Sequence, residues 1–209
     1  MKLPRLYPIV DVGTLTARGV SVEQFVRELL DGGVEILQLR DKQGAPQEVL
    51  RRAAAISKLI AGTSCLPVMN DRPDLAVLAG WRAVHLGHKD MPPEGARRVF
   101  GESSAAVGVS THNDAQVTAA QAGAADYVAI GPVFGTSTKA DAEPVVGLEG
   151  VRRARALTRK PLVAIGGIRR GNAAAVVEAG ADSVAVIGGL FADGESVAAV
   201  ARDFLRILL

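Results

Sequence analysis

A short apolar run followed by a longer amphipathic stretch recurs about eight times in the 209 residues, and few folds can absorb that alternation. Leu6–Asp11 reads as a strand. Val22–Leu30 follows with apolar residues at Val22, Phe25, Val26, Leu29 and Leu30, a helical stripe started by Ser21 and stopped by Gly32-Gly33. Further strands are read at Glu35–Leu39, Leu66–Asn70, Ala83–Leu86, Ala106–Ser110, Tyr127–Ile130, Pro161–Ile165 and Ser183–Ile187. Helices between and after them fall at Pro46–Ala61, Pro73–Ala79, Pro93–Phe100, Asp114–Ala122, Leu148–Leu157, Asn172–Ala179 and Ser196–Leu208. Runs such as Leu162-Val-Ala-Ile165 and Val184-Ala-Val-Ile187 are apolar on both faces, as strands of a parallel sheet covered by helices must be. Eight units in this length predict one domain over residues 1–209, a closed (β/α)8 barrel with its site at the C-terminal ends of the strands. An open doubly wound sheet is the alternative, but the first strand lacks a glycine-rich dinucleotide turn.

Charge narrows the partners. Twenty-four basic and 22 acidic residues leave a formal charge of +2, too balanced for nucleic acid, so any basic site must be local. Cys65 is the single cysteine, which excludes an internal disulfide and is read as a small buried hydrophobe. Met1-Lys-Leu-Pro-Arg leads into Leu6–Val10 without an apolar signal core, and no apolar run is long enough to span a bilayer. The expectation is a cytoplasmic protein acting on small molecules, away from membranes and nucleic acid.

The residues that follow the strands carry the chemistry. They are Asp11; Arg40, Asp41 and Lys42; Asn70 and Asp71; Gly87, His88 and Asp90; Ser110, Thr111 and His112; Gly131 through Lys139; Gly166-Gly167; and Gly188-Gly189. In Tyr127–Lys139 an apolar strand breaks at Gly131-Pro132 into small, hydroxylated and basic residues, followed by a long loop of the kind that serves as a lid or binding loop. The glycine pairs after the last two strands let backbone N–H groups approach a phosphate; the plainer reading is tight turns alone. Arg40, Lys42 and Lys139 supply positive charge, while Asp71 and Asp90 would repel an anion unless a hard divalent cation such as Mg2+ lay between. His85 reads as a satisfied polar group within a strand, and His88 and His112 as better placed acid–base candidates. Trp81 and Met69 read as packing residues.

Gln38-Leu-Arg-Asp-Lys42, Asn70-Asp71, His85-Leu-Gly-His-Lys-Asp90, Gly108-Val-Ser-Thr-His112, Gly131-Pro-Val-Phe-Gly-Thr-Ser-Thr-Lys139, Ile165-Gly-Gly-Ile168 and Val184-Ala-Val-Ile187 together resemble the thiamine phosphate synthase family, in order and over nearly the whole chain. The resemblance implies a Mg2+-dependent transferase joining 4-amino-5-hydroxymethyl-2-methylpyrimidine diphosphate to a thiazole phosphate, with release of diphosphate. By motif it assigns catalytic roles to Arg40, Lys42, Ser110 and Lys139 and metal binding to Asp71 and Asp90. Gln38 and Ser110 would meet the pyrimidine. Arg40, Lys42, Asn70 and Lys139 would surround its diphosphate end, and Leu39 and Asp41 count with them among the substrate-binding residues. Thr136, Ser137 and Thr138 would meet the thiazole ligand, with Gly167, Ile187 and Gly188 at its phosphate. His88 stands where the family often has Gln, and Gly188 where it often has Ser. Two other readings belong beside this one. A related thiazole tautomerase would make His112 the proton-transfer residue and leave the charged set without a task, and a non-catalytic phosphate-binding barrel would bind without coupling.

Overall fold

The computed structural model describes residues 2–136 and 143–209. Eight parallel strands, β1 (Leu6–Asp11), β2 (Ile36–Arg40), β3 (Leu66–Asn70), β4 (Ala83–Leu86), β5 (Ala106–Thr111), β6 (Tyr127–Ile130), β7 (Leu162–Ile165) and β8 (Ser183–Val186), pair in sequence order. Leu6 of β1 lies opposite Val184 of β8, so the sheet closes into a barrel. The open-sheet alternative is thereby excluded. The connecting helices are α1 (Val12–Ala17), α2 (Val22–Asp31), α3 (Pro46–Ile60), α4 (Pro73–Leu78), α5 (Pro93–Phe100), α6 (Asp114–Ala122), α7 (Gly147–Leu157), α8 (Arg170–Glu178) and α9 (Val197–Ile207).

Two differences from the sequence reading have local causes. The short α1 has no apolar stripe to announce it; the Asp11 side chain caps it, accepting from the Thr14 N–H at 2.8 Å and the Thr14 hydroxyl at 2.7 Å. Helix α8 starts two residues early because the Asn172 side chain reaches back to the Arg169 N–H at 2.8 Å, closing the first turn.

Alternation along the strands sorts two apolar cores. Leu37, Leu39, Met69, Val84, Leu86, Val107, Val128, Ala164 and Val184 face the helices, where Phe25, Ile56, Val151, Val176 and Phe204 complete the outer core. Tyr7, Ile9, Ile36, Val68, Ala83, Tyr127, Ala129, Val163 and Ala185 fill the barrel axis. Cys65 is buried, and burial, with the Glu35 charge, pushes its thiol up to about 12, as befits a packing residue. Trp81 is also buried and donates its indole N–H to the Ser57 hydroxyl at 2.8 Å. No helix among the described residues is long and apolar enough to cross a membrane.

Candidate active site

The inward parity of β2 places Gln38 and Arg40 at the C-terminal mouth of the barrel, in one pocket with Lys42, Asn70, Asp71, Ser110 and Ile187. Leu39 and Asp41 have the opposite parity and their side chains do not join that group. Leu39 packs in the outer core, and the Asp41 carboxylate pairs with Arg52 at 2.6 Å and accepts the Gly44 N–H at 2.8 Å. Arg40 pairs with Asp11, its register partner across the β1–β2 ladder, rather than with neighbouring Asp41. Burial alone would raise the Asp11 carboxyl, but the Thr14 hydrogen bonds and then Arg40 outweigh it and hold the group below the usual carboxylate range.

Asp71 follows β3 in an unusual conformation. It is the one non-glycine among the described residues with a positive φ, 62°, and it sits in a three-residue turn in which Arg72 N–H donates to the Asn70 carbonyl at 2.8 Å. The Asp71 amide is fixed to the His85 carbonyl at 2.7 Å, so the strained residue is anchored to β4. Its carboxylate pairs with Lys42 and also contacts Asp90. Asp90 in turn accepts the Gly87 N–H at 2.9 Å; a side chain at Gly87 would put Cβ 2.5 Å from the Asp90 oxygen and block this approach. Burial favours the neutral form of both acids. Lys42 and Asp90 overcome it at Asp71, which is held low, whereas at Asp90 the Asp71 carboxylate adds to it and the group is raised.

Two crowded carboxylates sharing one ammonium form a donor set that suits a hard cation such as Mg2+. Among the described residues no third His, Cys, Asp or Glu joins them in a metal-binding group, so a ligand's oxygens and water would have to complete the shell.

The floor of the pocket is a buried hydrogen-bonded row of side chains that the sequence reading did not assemble. Gln38 Nε2 donates to the Tyr7 hydroxyl at 3.1 Å, and the Tyr7 and Tyr127 hydroxyls are 3.0 Å apart. His85 lies between Tyr127, 3.1 Å from Nδ1, and Ser110, 2.9 Å from Nε2. Burial pushes the Tyr7 hydroxyl up to about 12 and that of Tyr127 well above its ordinary value, so both stay protonated near neutrality. Gly108 makes the row possible: it is the register partner of both His85 and Tyr127, and a Cβ there would collide with the Tyr127 phenol. Inward parity within β1, β4 and β6 was the signal available for Tyr7, His85 and Tyr127.

On the β7–β8 side, Gly166 and Gly167 adopt φ values of 103° and 65°. A Cβ on Gly167 would stand 2.6 Å from the Gly135 carbonyl oxygen, so these glycines both turn the chain and admit the β6 loop. Gly188–Leu190 forms a single 3-10 turn directly after Ile187. Thr136 is half-buried at the end of the described part of the β6 loop; Ser137, Thr138 and Lys139 lie outside the described residues. His88 is exposed and does not line the pocket. His112 is held to the Gly131 carbonyl by Nδ1 at 2.6 Å and lines a separate hollow with Asn113 and Arg153.

A family model described as thiamine monophosphate synthase matches residues 6–190. The chain belongs to the thiamine monophosphate synthase family. A thiamine-phosphate synthase from Koribacter versatilis is 47% identical over 210 residues, covering 100% of this chain and 97% of the relative. One from Chloroflexus aurantiacus is 38% identical over 205 residues, covering 98% and 92%. A solved thiamine phosphate pyrophosphorylase from Pyrococcus furiosus superposes with a TM-score of 0.84 at 31% identity, covering 98% of this chain and 95% of that one. This thiamine monophosphate synthase family member thus shares both sequence and barrel with its relatives along almost its entire length.

Proposed function

We propose that the barrel mouth couples 4-amino-5-hydroxymethyl-2-methylpyrimidine diphosphate to a thiazole phosphate, forming thiamine phosphate and releasing diphosphate. The observation that carries this reading is the gathering of Gln38, Arg40, Lys42, Asn70, Asp71 and Ser110 in one pocket. Gln38 and Ser110 bind the pyrimidine, while Arg40, Lys42 and Asn70 bind its diphosphate. The family resemblance alone adds Lys139 to that end and Thr136, Ser137 and Thr138 to the thiazole ligand. Gly167, Ile187 and Gly188 take the thiazole phosphate, at the barrel position where the loops after the last two strands commonly hold one.

In the reaction the bond between the pyrimidine methylene carbon and the diphosphate oxygen breaks, and the thiazole nitrogen forms the new bond to that carbon. The electron-rich aminopyrimidine stabilises positive charge at the methylene, so no side-chain nucleophile is required. Arg40 and Lys42 stabilise the negative charge gathering on the departing diphosphate. Asp11 holds Arg40 in place. Asp71 and Asp90 would hold Mg2+, which when bound supplies further neutralisation of the diphosphate. The buried floor of the pocket shields the methylene carbon from water, and holding both substrates together supplies orientation.

The test is a two-substrate assay with product analysis, with and without Mg2+. Thiamine phosphate formation that depends on Mg2+ is expected. Thiazole isomerisation without pyrimidine consumption would instead support the tautomerase reading, and binding of both ligands without coupling would support a non-catalytic barrel. The confinement of His112 to a separate hollow argues against the tautomerase.

A further inference from the structure

Asp41 is turned away from the pocket, yet its side chain is only 4% exposed, and its partners among the described residues lie in the loop between β2 and α3 or on α3 itself. Oδ1 accepts the Gly44 N–H at 2.8 Å and the Gln43 N–H at 3.4 Å, so the carboxylate closes a turn across the backbone of Lys42. Oδ2 takes the Arg52 guanidinium at 2.6 Å, which ties that turn to the second turn of α3. Arg52 also lies 3.7 Å from Glu48, four residues back on the same helix, which keeps the guanidinium beside the loop. Gly44 leaves the room: a Cβ there would stand 2.2 Å from Asp41 Oδ2. Its φ is not positive, so it is this space that calls for glycine. Lys42 sits inside the turn with its side chain 49% exposed, in contact with Asp71. A flexible, half-exposed lysine is held only weakly by its own ion pair, so the backbone beneath it decides where it can reach.

We propose that Asp41, anchored by Arg52 and admitted by Gly44, is a positioning residue that fixes the backbone of Lys42 and aims its ammonium at the barrel mouth, and that it does not itself touch substrate. Strand β2 ends at Arg40, and the β1–β2 ladder that sets Arg40 opposite Asp11 does not extend to Lys42. The Asp41 turn does for Lys42 what the sheet does for Arg40. Charge points the same way. A carboxylate facing a diphosphate would repel it, whereas one spent on two backbone amides and an arginine leaves the Lys42 charge free to act on the mouth side. The task of Lys42 toward the diphosphate rests on the coupling reaction proposed above, whereas its fixing by Asp41 does not.

Two measurements separate those parts. Trace labelling of lysine amines with acetic anhydride, read peptide by peptide by mass spectrometry, reports how firmly Lys42 is held, with exposed Lys58 as the internal reference. Relative to Lys58, Lys42 should label roughly threefold faster in Asp41→Ala than in the wild type, the size expected when a largely exposed ion pair loosens. Gly44→Ala should do the same, because its methyl group displaces the carboxylate. Unchanged Lys42 labelling in the folded variants would overturn the proposal. In steady-state assays Asp41→Ala should raise KM for the pyrimidine diphosphate about tenfold and leave KM for the thiazole phosphate unchanged. In a Lys42→Ala background the same substitution should add less than about twofold, since its effect passes through Lys42. A full loss in that background, or a loss shared by both substrates, would show direct contact or general loosening and would overturn the proposal. Asp41→Asn keeps an acceptor for the two amides and weakens only the tie to Arg52; it should show the same pattern at smaller size, and it carries the test if Asp41→Ala does not fold. If the wild type couples nothing, the coupling reaction fails, and the labelling still decides whether Asp41 positions Lys42.

Discussion

Two pairs of carboxylates, one at each end of the barrel, are held in opposite ways. At the base, Asp126 accepts the Val107 N–H at 2.7 Å and pairs with Arg97 at 2.5 Å, and Asp182 accepts the Leu162 N–H at 2.8 Å and pairs with Arg155 at 2.8 Å. Each acid there has its own arginine and ties the start of one strand to its neighbour. At the mouth, Asp71 and Asp90 crowd each other, share one lysine, and depend on a positive φ and a glycine to come together. At the base, Asp126 and Asp182 are both satisfied within the chain. The mouth keeps unspent capacity for a cation and an anion, and local strain there fits a functional site rather than a structural one.

The largest effect should come from the mouth. Asp71→Asn keeps the shape and tolerates positive φ while removing the charge. Turnover should fall on the order of a hundredfold or more, with the thermal midpoint within a few degrees of wild type. Retained Mg2+-dependent turnover in the purified variant would break the comparison. At the base the expectation inverts: Asp126→Ala should cost about 1–3 kcal/mol of stability in chemical denaturation, with turnover per folded molecule unchanged. A large loss of turnover with normal stability would show that the base is not merely structural.

Much of this organisation is legible in the sequence, and the reasons are physical. The strand–helix alternation is written in hydrophobic periodicity, and strand ends mark the mouth in any barrel, so Arg40, Lys42, Asn70, Asp71 and Ser110 could be placed together from their positions alone. The partners they use inside the protein were harder to see. Tyr7 and Tyr127 are 120 residues apart and meet only when the barrel closes. His85 was legible as a satisfied polar group, but not as the link between a phenol and a serine. Asp41 is the sequence neighbour of Arg40, yet strand parity turns Asp41 toward Arg52 and leaves Arg40 to Asp11 across the ladder.

The smallest expected effect concerns that last pair. The Asp11 carboxyl is held below its ordinary value, so its contribution to stability is complete above about pH 4 and is lost as pH falls through the folded value. Asp11→Asn should therefore flatten part of the acid limb of the stability profile, and equilibrium unfolding between about pH 2 and 5 checks it. An unchanged acid limb would mean that Asp11 serves Arg40 without linkage to folding.

The most direct measurement is a crystal structure with the pyrimidine diphosphate, Mg2+ and the thiazole phosphate, using an unreactive analogue of either substrate. The account predicts a cation held by Asp71 and Asp90 against the diphosphate, Lys42 turned from Asp71 to the phosphates, the pyrimidine between Gln38 and Ser110, and the second phosphate at Gly167 and Gly188. A cation bound elsewhere, or the diphosphate seated on the glycine side of the mouth, would contradict it.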